Sequence, residues 1–155
     1  MLVALGAAVP PLLASLEGCG EAGPRPIAYG RDECSWCRMT VSDARYGAEL
    51  VTTKGKQHIF DSIECLAEFQ LALEQREGQT AARSWVTHYL QPGALVPAPD
   101  AHYLRTEGPG SPMGKGLMAF ATAADADRQR RIAGGVTMSW VGVLAMVKGE
   151  NGARG

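Results

Sequence analysis

The sequence predicts an α+β protein made of two tandem ββα-type halves, with antiparallel strands and covering helices. Three observations predict it. Two pairs of segments rich in β-branched and aromatic residues are each followed by a stretch with helical spacing of apolar residues. The phrase Ile59-Phe60-Asp61 ahead of the first helix matches Ala119-Phe120-Ala121-Thr122 ahead of the second. The 155 residues include 19 Gly and 9 Pro, which break the chain into many turns and exclude a bundle of long helices. This length allows one domain or two small halves sharing a core, and excludes a large multidomain enzyme.

The elements follow in order. Residues 2 to 16 carry no charge, and with Pro10-Pro11 in their middle they are too short to cross a ~30 Å bilayer core as a helix. Residues 1–18 therefore read as a signal peptide. The stretch ends Leu16-Glu17-Gly18-Cys19, which resembles a bacterial lipoprotein cleavage box and makes Cys19 the expected lipid-attachment residue. Residues 19–26, with Gly20, Gly23, Pro24 and Pro26, form a flexible tether. A working domain is expected over 27–150, its first half about 27–80 and its second about 84–147, with 151–155 as a flexible tail.

Within the first half, Tyr46 to Thr53 and Gln57 to Phe60 flank Lys54-Gly55-Lys56 and predict a hairpin. Asp61 and Glu64 have the spacing of a capping box, and Ile63, Leu66, Ala67, Phe69, Leu71 and Leu73 carry a helix to Gly78. A Pro-rich loop, Gln91 to Asp100, leads to the second half. There Ala101 to Thr106 and Leu117 to Ala121 predict strands, Thr122 predicts an N-cap with Asp125 at N3, and a helix over Ala124 to Ala133 ends at Gly134-Gly135. Trp85 to Leu90 and Val136 to Val147 read as additional strands.

Charge excludes two classes of partner. Lys and Arg number 15 against 16 Asp and Glu, and loss of residues 1–18 removes only Glu17. Neither a nucleic-acid-binding field nor a polybasic membrane patch follows from such a balance. Recognition must rest on local chemistry.

That chemistry concentrates in Asp32-Glu33-Cys34-Ser35-Trp36-Cys37-Arg38-Met39. Two thiols in a Cys-x-x-Cys turn can aim at one centre, as a redox couple or as soft metal ligands. Met39 adds a thioether. Cys65 falls in the first turn of the predicted helix, where the helix dipole favours a thiolate. A zinc finger needs a fourth closing ligand at suitable spacing, and no second Cys-x-x-Cys or close His pair follows. Met113 lies in the Gly- and Pro-rich loop Gly108 to Gly116, where core filling is a poor explanation, so it is a candidate ligand; Met118, Met138 and Met146 read as core residues. The glycines around Lys115 do not match a phosphate-binding loop. His58, His88 and His102 read as ordinary strand residues, Asp32 and Glu33 as a solvated acidic loop, and Arg128, Arg130 and Arg131 as a solvated helix face.

Taken together, these residues resemble the NosL family, lipoproteins associated with nitrous oxide reductase maturation. The resemblance covers about residues 27–147. It rests on Cys34-Ser-Trp-Cys37-Arg-Met39 with Asp43 and Tyr46-Gly47-Ala48, on Phe60-Asp-Ser-Ile-Glu-Cys65-Leu66, on Ser111-Pro-Met113-Gly114 leading to Ala119-Phe120, and on Gly134-Gly135 with Trp140. The resemblance implies a periplasmic or otherwise extracytoplasmic, lipid-anchored Cu(I) metallochaperone with paired ββα units, acting for nitrous oxide reductase in denitrification, and not an enzyme. The family commonly has Cys-x-x-Cys-Gly-Met, whereas Arg38 here replaces the glycine and adds bulk and positive charge beside the thiols.

Donor chemistry agrees with copper: thiolate and thioether sulfur select Cu(I), and Zn(II) gains little from a thioether. The expected site is Cu(I) held between the halves by Cys34, Cys37 and Met113, with Met39 or Cys65 as alternates. The competing reading is an extracytoplasmic thiol-disulfide oxidoreductase using Cys34 and Cys37. A third is a structural disulfide from Cys34 or Cys37 to Cys65. With Cys19 assigned to the lipid, three thiols remain, and an odd set beside a methionine suits a soft metal better than a disulfide framework.

Overall fold

The computed structural model describes residues 23–77, 80–108 and 110–152. The expected signal peptide and Cys19 lie outside them. β1 (Ala48–Thr52) runs antiparallel between β2 (Gln57–Phe60) and β3 (Ala81–Thr87), and β4 (Leu95–Pro97) pairs with the far side of β3. The first sheet thus has the order β2-β1-β3-β4. The second has the order β6-β5-β7, with β5 (His102–Arg105) between β6 (Leu117–Phe120) and β7 (Val136–Met138). Helix α1 (Ile63–Glu77) connects β2 to β3, and α2 (Ala123–Ala133) connects β6 to β7.

This is the predicted α+β arrangement, with one strand more in each repeat. Both units read β-β-α-β, and in both the first strand takes the central position. The segments expected as extra strands supply the third strand of each unit: Trp85 and Val86 lie on β3, and Val136 lies on β7.

Three local expectations need correction. Val136 to Val147 is not all strand: β7 ends at Met138 and α3 (Trp140–Gly152) follows. Its β-branched residues have strand propensity, but Trp140, Val143 and Val147 are buried at helical spacing, and Ser139 Oγ caps the start by accepting the Gly142 N–H at 3.3 Å. Burial of one stripe outweighs intrinsic propensity. The loop Gln91 to Asp100 contains β4, where Pro97 is tolerated because an edge strand has a side that needs no ladder donor. The cap of α1 is Ser62 and not Asp61: Ser62 Oγ accepts the Cys65 N–H at 3.2 Å, while Glu64 is buried and receives a hydrogen bond from Ser111. The second cap is as expected, with Thr122 Oγ1 accepting the Asp125 N–H at 3.1 Å.

The two units share one core. Leu50, Phe60 and Leu66 of the first pack in a cluster with Tyr103, Leu117 and Trp140 of the second. Helix α3 leaves the second unit and packs along α1 of the first. A parallel bridge between His88 and Ala119 joins the sheets, and the Tyr89 N–H donates to the Ala119 carbonyl at 2.8 Å. A smaller cluster of Tyr46, Leu104, Met118, Phe120 and Ala126 fills the space under α2. Among the described residues no helix is long and apolar enough to cross a membrane.

The turn from α2 into β7 needs its two glycines for different reasons. Gly134, at φ 72°, has open space where a Cβ would point; Gly135, at φ 100°, would place a Cβ 2.1 Å from the Arg105 carbonyl oxygen. Backbone strain alone costs about 1–2 kcal/mol, and a forced backbone shift adds about 1–3 kcal/mol. Gly135→Ala is therefore expected to lower unfolding stability by roughly 2–4 kcal/mol and Gly134→Ala by about 1 kcal/mol. Equal losses in denaturant unfolding would contradict the close approach of β5.

Candidate metal centre

The Cys-x-x-Cys segment is a closed turn and not a helix start. The Cys34 N–H donates to the Met39 carbonyl at 2.8 Å and the Arg38 N–H to the Cys34 carbonyl at 3.1 Å. The Ser35 N–H docks the turn on β2 through the Ile59 carbonyl at 2.8 Å. Closing so tight a loop requires a left-handed residue, and Arg38 takes it at φ 68°; it is the one non-glycine with positive φ among the described residues. That explains a glycine at this place in the family pattern. Arg38 keeps the conformation at a cost in strain, with its side chain directed to solvent beside Glu33.

Three elements converge here. The turn supplies Cys34 and Cys37, the end of β2 supplies Asp61, and the first turn of α1 supplies Cys65. One donor atom from each of these four residues lies within 4.8 Å of every other. Cys34, Cys65 and Asp61 are buried and Cys37 is half-buried, so Cys37 is the thiol nearest to solvent. All three cysteines are free thiols.

The environment divides the proton affinities of the thiols. The Cys65 thiol donates to Cys34, and against the opposing effect of burial this lowers the Cys34 pKa to about 6, with backbone N–H groups of Asp61, Cys37 and Trp36 adding support. Cys65 is raised as the partner that keeps its proton. Burial raises Cys37 to about 11, and its thiol donates to Asp61 Oδ2 at 3.4 Å. The helix-dipole expectation for Cys65 is thus reversed: the amides and the neighbouring thiol converge on Cys34.

The other predicted ligands are placed differently. Met39 is 56% exposed and stands at the rim. Met113 is half-buried against the core cluster that contains Cys34 and Cys65. Its loop is tied to the first turn of α1, because Ser111 Oγ donates to Glu64 and accepts the Gly116 N–H at 3.2 Å. Met118 belongs to the smaller core cluster, and Met138 and Met146 pack against the larger one, as expected. None of the three histidines joins the four-residue group. His58 stacks on Phe69 with ring centroids 4.4 Å apart, His88 Nδ1 accepts the Ala121 N–H at 3.3 Å, and His102 is exposed.

Asp61 is the site residue that sequence reasoning missed, because the capping box accounted for it. The available signal was Asp61-Ser62, two successive residues that can each cap when only one is needed.

A cluster of three thiols and a carboxylate, all four from the first β-β-α-β unit and the turn that precedes it, defines a small protein whose donor set suits a soft metal. The NosL family model matches residues 27–145, and the chain belongs to the NosL family. The crystal structure of the copper chaperone NosL from Shewanella denitrificans is similar at TM-score 0.59 and 22% identity, over 75% of this chain and 94% of that one. At that identity the likeness establishes a common fold. No curated protein matches the sequence.

Two outcomes are expected in metal-free protein. Thiolate ultraviolet absorbance should rise in a first step near pH 6 that Cys34→Ser removes. A lowered folded pKa gives stability that is complete above the unfolded thiol value of about 8.5 and is lost as pH falls through the folded one, so the Cys34 contribution should fade from there towards pH 6. A first thiolate step above pH 8 would contradict this charge assignment. Arg38→Gly should raise unfolding stability by roughly 0.5–1 kcal/mol, relief of left-handed strain being partly offset by glycine's greater unfolded-state entropy. A loss of stability would show that the Arg38 side chain contributes more than its backbone costs.

Proposed function

We propose that this protein is an extracytoplasmic, lipid-anchored metallochaperone that carries Cu(I) for assembly of the nitrous oxide reductase copper centres. The observation that carries the reading is the convergence of Cys34, Cys37, Cys65 and Asp61 in a group within 4.8 Å, with Cys37 facing out. Family membership supports the physiological role, and the Shewanella protein's description as a copper chaperone is consistent with it. Cys19 serves as the lipid anchor.

Cu(I) is cargo, so affinity must be combined with exchange. Cys34 and Cys37 supply thiolate donors and Met113 a weaker thioether arm that an acceptor can displace. Cys65 stands beside them as a reserve sulfur donor; Met39, at the rim, suits a passing contact better than a buried bond. One sulfur is already favoured as thiolate, which reduces the proton release needed for binding. Asp61 Oδ1 is buried with no hydrogen-bond partner among the described residues. An under-satisfied carboxylate beside thiols is relieved by a nearby cation.

The oxidoreductase alternative has one observation in its favour, the lowered Cys34 pKa. Its geometry is unfavourable: the thiolate-prone Cys34 is fully buried, whereas a disulfide substrate needs an accessible attacking sulfur. Insulin reduction without turnover is expected.

Competition titration with a Cu(I) chelator tests the site. Cys34→Ser and Cys37→Ser should each weaken binding by at least ~10-fold, and Met113→Leu should weaken it less while speeding release. X-ray absorption of the loaded protein should show a sulfur-dominated shell. Undiminished affinity in all three variants, or a shell of only N and O donors, would overturn the assignment.

A further inference from the structure

Glu68 lies one turn after Glu64 on α1, outside the thiol cluster, and receives bonds from both loops that flank it. From one side, Trp36 Nε1, in the middle of Cys34-Ser-Trp-Cys37, donates to Glu68 Oε2. From the other, Lys115 Nζ lies 3.0 Å from Glu68 Oε1. Lys115 also pairs with Glu150 of α3 at 3.1 Å. The Lys115 and Glu68 side chains are each only 11% exposed, so this pair is shielded from water in a way that surface pairs are not.

The positions in sequence give the network its meaning. Met113 lies midway between Ser111, bonded to Glu64, and Lys115, bonded to Glu68. Glu64 and Glu68 are separated by four residues on one helix face, and Cys65 directly follows Glu64. The loop carrying Met113 is therefore held at two points on the helix turn that carries Cys65. Trp36 binds the Cys-x-x-Cys turn to the second of those points. Trp36 is 36% exposed and meets Phe69 edge-on with ring centroids 6.4 Å apart, so the indole N–H bond to Glu68 and this ring contact hold it together.

We propose that Glu68 is a positioning residue which, through Trp36 and Lys115, holds the thiol turn and the Met113 loop in register on α1. The network sets how tightly the two loops stay together and thus how readily the thioether arm opens for exchange. Its effect on copper rests on the function proposed above; its effect on loop registration does not.

The two are tested separately. In metal-free protein, amide hydrogen exchange over 34–39 and 110–116 should rise in Glu68→Ala at both loops. Glu68→Gln keeps an oxygen for the Trp36 N–H but loses the charge that holds Lys115, so exchange should rise at 110–116 alone. Lys115→Met should do the same from the other partner, leaving Glu68 in place. In the loaded protein, Glu68→Ala should weaken Cu(I) binding by about 10-fold or more, the scale of outer-shell partners of metal ligands, and X-ray absorption should show fewer sulfur neighbours. Glu68→Gln should recover part of that loss. Unchanged exchange at both loops in Glu68→Ala would overturn the proposal, as would a Cu(I) affinity and sulfur count equal to wild type. Failure of the wild-type protein to bind Cu(I) would overturn the chaperone reading instead and leave the exchange measurements as the test of registration.

Discussion

The structure depends on enclosing the first turns of α1 from every side. Ile63, Glu64, Cys65, Leu66 and Ala67 are five consecutive buried residues. A helix on a protein surface buries one stripe and wets the rest. Here β1 and β2 lie against one side, α3 packs along another, and β6 with its preceding loop closes a third. Polar groups in such a position must find partners inside the protein. Ser62 answers the Cys65 amide, Ser111 answers Glu64, and Cys34 answers the Cys65 thiol.

The thiol chemistry follows from the enclosure. Water cannot level the three sulfurs, so small differences in donors decide which one carries charge. Cys34 faces a thiol donor and several amides, while Cys37 faces the Asp61 carboxylate and Cys65 acts as donor. Chemically identical side chains thus become unequal donors. Cys37, the one of the three with most access to solvent, is raised to about 11 by burial, which separates the sulfur favoured for charge from the sulfur nearest to solvent.

Much of this could be read from the sequence where the signal was local. The hairpin around Gly55, the Thr122 cap and both helix stretches through Leu66 and Ala126 declare themselves through spacing and capping chemistry. The Cys-x-x-Cys turn and Cys65 come together because a turn, a hairpin and a helix start leave few alternatives. What could not be read depends on tertiary partners. Val141 to Val147 carries β-branched residues, and only the packing of α3 on α1 makes it helix. Glu64 has the spacing of a capping partner until Ser111, distant in sequence, claims it. Asp61 was hidden by the same ambiguity: a carboxylate before a helix reads as a cap when a serine follows unnoticed. Arg38 shows the opposite case, where a departure from a family pattern keeps the left-handed backbone at a cost in strain and adds a charged side chain beside Glu33.

The bond from Ser35 to Ile59 has a consequence for solubility. β2 is a terminal strand of its sheet, and at Ile59 its outward carbonyl is covered by the Cys-x-x-Cys turn. At the opposite border, β4 is three residues long and carries Pro97, a poor template for any added strand. The turn that gathers the thiols is thus also the guard of a sheet border. Opening that turn would bare the Ile59 carbonyl on a terminal strand, the kind of backbone group with which a neighbouring chain can pair.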